Sequence, residues 1–167
     1  MKKLMVLVLL LGWVSASSAQ DLVTDFLKRS NDPKIFTQVN ISSKMFQMIS
    51  DITDAETESL IRNLNSMKIL STEKEAQRYF GEAMDLVNRK ENGYEELMSI
   101  VEEGQDVRMF IREKNKVINE LVVMVGSKEE FMLMNFCGII DLKKISKLTK
   151  AVNIEGMEYL NKVDNNK

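Results

Sequence analysis

Few side chains in this sequence could do chemistry. The 167-residue chain contains no histidine and one cysteine. Without imidazole there is no Ser-His-Asp or Cys-His set, no His-ligated zinc and no side chain that ordinarily titrates near neutrality. Cys137 has no second cysteine with which to form a disulfide, a thiolate metal cluster or a redox pair. A lone thiol becomes a nucleophile only beside a base that draws off its proton. Cys137 closes the apolar run from Phe131 to Phe136, so a buried structural cysteine is expected. Met45 and Met48 are spaced for one side of a helix, and Met132 and Met134 for one face of a strand. Paired thioethers suit Cu(I). They also fill irregular core gaps, which is the expectation here, and with Phe110 on an exposed sheet face some of them would make an adaptable docking surface.

The acidic stretch with Asp51, Asp54, Glu56 and Glu58 lacks the glycine and the alternating oxygens of an EF-hand loop and reads as a solvated helical linker. Ser146 and Lys147 are adjacent on a helix and point apart, so they form no dyad. Twenty-five scattered acids assign no carboxylate pair for glycoside hydrolysis. Lys143, Lys144, Lys147 and Lys150 form a row that would suit an anionic surface and ordinarily is a solvated face. With 23 Lys and Arg against 25 Asp and Glu, the net charge of -2 lacks the positive footprint of a nucleic-acid binder. No cofactor, metal or catalytic residue is assigned, and no enzymatic activity is expected.

The elements that must position these residues follow from periodicity. Leu22, Val23, Phe26 and Leu27 give a short helix that ends at Asn31-Asp32-Pro33. Ile35–Ile41 reads as a strand. Ser42 or Ser43 caps a helix with Met45, Phe46 and Ile49 inward, and Glu56–Leu64 resumes helix. After a strand at Asn65–Leu70, Thr72 and Glu75 have capping-box spacing. The long helix that follows has Ala76, Tyr79, Phe80, Ala83, Met84 and Val87 on one face and stops at Asn92-Gly93. The period then changes to two. Glu95–Glu102, Val107–Arg112, Val117–Val125 and Glu130–Cys137 read as strands at hairpin spacing, the last of them apolar on both faces and so central. Gly138-Ile139-Ile140-Asp141 leads into a closing helix with Leu142, Ile145, Leu148 and Val152 inward. The fold expected is α+β, a mostly antiparallel sheet of five or six strands with helices on one face.

Ahead of this domain, Lys2 and Lys3 precede an apolar run from Leu4 to Val14 and the small residues Ser17-Ser18-Ala19. That is the pattern of a cleavable export signal, with cleavage between Ala19 and Gln20. A helix of about eleven residues spans roughly 16 Å, too short for a membrane core of ~30 Å. Cleavage removes two basic residues and no acidic one, leaving 21 against 25, a net charge of -4. The expected organisation is a signal peptide at 1–19, one domain at 20–161 and a polar tail at 162–167, with no transmembrane segment after processing.

The apolar strand followed by Gly138-Ile139-Ile140-Asp141-Leu142 and a helix with Leu148 resembles a family of small exported proteins of Gram-negative bacteria, domain of unknown function 4252. Val39-Asn40-Ile41-Ser42, and Ser66-Met67-Lys68-Ile69-Leu70 before the long helix, resemble it too. The resemblance covers roughly residues 33 to 152. It implies an envelope protein, periplasmic or at the cell surface, with no catalytic residue to transfer and an association with envelope signalling. The function expected is non-catalytic binding of another envelope protein. The alternative is a carrier of a small hydrophobic ligand or lipid, in a cavity lined by Phe80, Met84, Met109 and Met134. Those four and Phe110 are the candidate ligand or partner contacts.

Overall fold

The computed structural model describes residues 20–53 and 55–142. The export signal expected at 1–19, Asp54, the lysine row, and Ile145, Leu148 and Val152 lie outside the described residues. Helix α1 (Leu22–Arg29) is followed by strand β1 (Thr37–Ser42), α2 (Ser43–Ser50), α3 (Ala55–Ile61), β2 (Leu64–Thr72) and α4 (Ala76–Val87). Four strands then run in succession: β3 (Tyr94–Glu102), β4 (Gln105–Lys114), β5 (Val117–Gly126) and β6 (Phe131–Ile140). They form one antiparallel sheet in the order β1-β2-β6-β5-β4-β3, an α+β architecture. The last strand is central, flanked by β5 and β2, as its apolar character on both faces requires. Among the described residues no helix is long and apolar enough to cross a membrane.

Successive side chains of a strand point to opposite faces, and both faces of this sheet carry core. On one, α1 and α4 lie over Leu70, Phe110, Val122, Met124, Phe131 and Leu133. Phe26 of α1 meets Phe36, Tyr79 and Phe131 at ring-centroid distances of 5.7, 6.2 and 5.7 Å. On the other face, Phe46 of α2 and Ile61 of α3 join Met67, Ile69, Met109, Val123, Met134 and Phe136. Helices therefore reach both faces, with α1 and α4 on the same one.

Local chemistry explains the boundaries. The β3–β4 and β4–β5 loops are two residues long, and Glu103-Gly104 (φ 47 and 84) and Asn115-Lys116 (φ 54 and 63) are left-handed at both positions. Paired positive φ is the type I′ turn whose twist matches antiparallel strands. The capping box expected at Thr72 and Glu75 does not form. Thr72 is the last residue of β2, where its Oγ1 accepts from the Lys74 N–H at 3.1 Å, and Glu75 sits left-handed at φ 49 with no side-chain cap bond. Strand β6 continues through Gly138 to Ile140 instead of stopping at Cys137. Gly138 has φ +147, and a Cβ there would lie 2.3 Å from Asn63 O. The adjacent Ile139 N–H donates to the same carbonyl at 2.9 Å.

Candidate functional site

Strand register assembles a polar row that linear spacing conceals. Ser66 pairs with Cys137, Cys137 with Glu120, Glu120 with Arg112, and Arg112 with Tyr94, one residue from each of β2, β6, β5, β4 and β3. Directly opposed residues in antiparallel strands share a face. This row therefore crosses the sheet on the α1 side. The next row on the same face contributes Lys68 and Asn135.

Glu120 is the centre. It is 1% exposed, and burying an ionised carboxylate costs several kcal/mol unless it is paired and hydrogen-bonded. Its Oε1 accepts from the Leu22 backbone N–H at 3.1 Å, Tyr94 Oη at 2.8 Å and Asn135 Nδ2 at 2.6 Å. Its Oε2 faces the Arg112 guanidinium as an ion pair. Arg112 also lies over the Tyr94 ring, 5.0 Å from the centroid. The Leu22 N–H belongs to the first turn of α1, whose amides point out of the helix end with a partial positive charge. The sheet thus supplies a carboxylate to the start of the helix. Beside it, Asp21 caps α1 by accepting from Thr24 N at 3.0 Å, and Lys68 Nζ donates to Asp21 Oδ2 at 2.8 Å and to Thr24 Oγ1 at 2.7 Å. Burial opposes ionisation of Asp21, but the bonds from Lys68 and Thr24 outweigh it and hold the carboxyl below the usual aspartate range.

The thiol and the phenol of the row are held protonated. Burial, followed by the charge of Glu120, pushes the Cys137 thiol up to about 12 and raises the Tyr94 phenol above its ordinary value. Cys137 is half-buried, its Sγ 3.4 Å from Asn135 Oδ1. A thiol so placed yields little thiolate near neutrality. The arrangement is chemically suited to locking α1 onto the sheet. No single residue signalled it: Glu120 sits in the apolar run Val117–Val125 as an isolated acid, and only the register joins it to Arg112 and Tyr94.

The five residues expected as ligand or partner contacts do not converge. Phe80 and Met84 are partly buried on the α1–α4 face, where Phe110 is also buried. Met109 and Met134 are buried on the opposite face. The sheet lies between the two groups, so Phe80, Met84, Met109 and Met134 line no common cavity. Phe110 is 2% exposed and offers no docking surface. Met109 and Phe110 are consecutive on β4 and must diverge. The Phe80 ring instead covers Gly126, where a Cβ would meet it at 2.4 Å. Met132 and Met134 do share a face, as core. Met45, expected inward, is exposed together with Met48.

The family described as Domain of unknown function (DUF4252) matches residues 30–148. The chain belongs to that family. No curated protein and no solved structure matches it. The DUF4252 match takes in the sheet and α2 to α4 and begins just after α1. The Glu120 cluster therefore fastens an upstream helix to the matched region.

Proposed function

We propose that this chain is a non-catalytic protein exported to the Gram-negative envelope, where it binds another protein through α2 as an accessory to envelope signalling or assembly. The observation that carries the reading is a stripe on that helix and the turn after it. Met45, Met48 and Ile52 are 49%, 57% and 86% exposed, at the i, i+3 and i+7 positions of one flank. Single exposed apolar residues are ordinary, but three aligned ones form a patch with an energetic reason to be covered. Two are methionines, whose flexible thioethers adapt to a partner surface. Beside Met48 an open groove of about 440 Å³ runs between Lys44, Gln47, Asp51 and Arg62, a polar rim of the kind that surrounds an apolar contact. The Glu120 carboxylate, engaged by three donors on Oε1 and by the Arg112 ion pair on Oε2, and the protonated Cys137 and Tyr94 support a role without catalysis. The leader pattern at 1–19 supports export.

Site-specific photocrosslinking in growing cells tests this. A photoreactive residue at position 48 is expected to give a discrete protein adduct, and the same residue at Glu82 on α4 none. Absence of adducts from positions 45, 48 and 52 alike, or turnover in a hydrolase screen, refutes the reading.

A further inference from the structure

The open sheet has two edges, and among the described residues only one of them is guarded. Unpaired strand edges offer a row of free N–H and C=O groups, which proteins protect with charge, proline or bulges. Edge strand β3 carries Glu95, Glu96 and Glu102 and a register shift between Glu96 and Met98. Edge strand β1 reads Thr37-Gln38-Val39-Asn40-Ile41-Ser42, with no charge and no proline, and pairs with β2 through six residues without a shift. Five of its six side chains are exposed, and only Ile41 is partly covered.

We infer that β1 pairs antiparallel with β1 of a second copy of the chain, across a two-fold axis perpendicular to the sheet at Asn40, joining two six-stranded sheets into one. Such an axis preserves the faces of the sheet, so opposed residues must point to the same side. Centring it on Asn40 sets Val39 opposite Ile41 of the other copy, twice, on the face that carries α2. Gln38 then faces Ser42, and Asn40 faces its own amide counterpart. The two most apolar side chains of the strand thereby cover each other, and Val39, 43% exposed, gains a partner. Charge permits this occupant at the seam: the chain is acidic overall, but β1 itself carries no charge, so two copies meet there without like charges in register. The same axis leaves both α2 helices on one side of the joined sheet, so the dimer presents the α2 stripe in two copies.

Sedimentation of the mature chain tests the pairing. At about 100 μM, a concentration that populates even a modest homodimer, the unsubstituted chain is expected at twice its chain mass. Asn40→Lys and Val39→Lys, both at exposed positions, are expected to restore the single-chain mass with circular dichroism unchanged, because each sets a charge against the two-fold seam. Amide exchange over Thr37–Ser42 is expected to slow as concentration rises. A single-chain mass for the unsubstituted protein, or a doubled mass that survives both lysine variants, overturns the inference. Met48→Asp separates it from the proposed function, since that variant is expected to lose the partner adduct while keeping the doubled mass.

Discussion

Replacing Glu120 by alanine tests the account of α1 at its weakest-looking point, a charge buried among apolar strands. The carboxylate receives three donors on Oε1 and the Arg112 guanidinium on Oε2. Arg112 is 21% exposed, so its charge is left largely desolvated once the partner is gone. Breaking such a pair costs about 3–5 kcal/mol, to which three orphaned donors add. Against a total stability of about 5–15 kcal/mol that is a large fraction. For a domain of this size it lowers Tm by roughly 10 °C. Glu120→Gln keeps an acceptor for Leu22, Tyr94 and Asn135 but sets an amide against the guanidinium, so a smaller loss of about 2 kcal/mol is expected. Tyr94→Phe removes one donor of three and costs about 1 kcal/mol. Urea denaturation followed by circular dichroism gives the free energies. Amide exchange over Leu22–Arg29 gives the location, because the Leu22 N–H donates directly to the carboxylate. Protection of α1 is expected to fall before that of the central strands. A Glu120→Ala chain within 1 kcal/mol of the unsubstituted protein, with α1 amides equally protected, would show that the carboxylate does not hold α1 to the sheet.

Further outcomes follow from the same geometry. Raising the Cys137 thiol from 9.0 to about 12 cuts its thiolate fraction near neutrality about a thousandfold, so disulfide-exchange reagents are expected to label it slowly in the native chain and at the free-thiol rate in urea. Asp21 is lowered on folding, so its contribution is complete above its unfolded value of 3.8 and is lost as pH falls through the lower folded value. Asp21→Asn keeps the cap but is expected to flatten the acid limb of the stability–pH curve below that point, as read by melting temperature at successive pH values. Gly138→Ala places a Cβ 2.3 Å from Asn63 O and 2.8 Å from Leu64 Cα at φ +147, and is expected to cost about 2–4 kcal/mol in urea titration.

Much of the fold was legible because its signals are local. Hydrophobic period two gave the four strands after Tyr94, and apolar residues on both faces of Phe131–Cys137 marked β6 as central. The Thr72–Glu75 box misled because a strand residue occupied its first position. The end of β6 was missed because Gly138 ordinarily signals a stop. Here it instead lets the strand pass close to Asn63, a partner 75 residues away in sequence and invisible to any window. The polar cluster was illegible for the same reason. Ser66, Arg112, Glu120 and Cys137 acquire meaning only through cross-strand register, whereas Met45 and Met48 could be paired by spacing but not assigned to solvent. Helical spacing fixes which residues share a side, and tertiary packing decides which side is covered.

Register is itself what the polar row decides. Hydrophobic alternation normally specifies it, because a one-residue slip turns a strand's apolar set to solvent. In β5 that penalty fails, since Leu121 and Val123 are buried on one face and Val122 and Met124 on the other. A slip would exchange one apolar set for another at little cost. It would also carry Glu120 to the α2 face, away from Arg112, Tyr94, Asn135 and the start of α1, and leave an ionised carboxylate buried without partners. The cost of that misplacement is several kcal/mol, enough to outweigh what apolar packing leaves undecided. Replacing the pair by Glu120→Leu with Arg112→Met separates the two effects. The double variant is expected to recover most of the stability lost by Glu120→Ala, since well-packed apolar residues substitute for buried pairs at little net cost. Its amide spectrum is nevertheless expected to broaden along β4, β5 and β6 as registers interconvert. Sharp, single resonances from those strands would show that the turns and Gly138 hold the register without the charge.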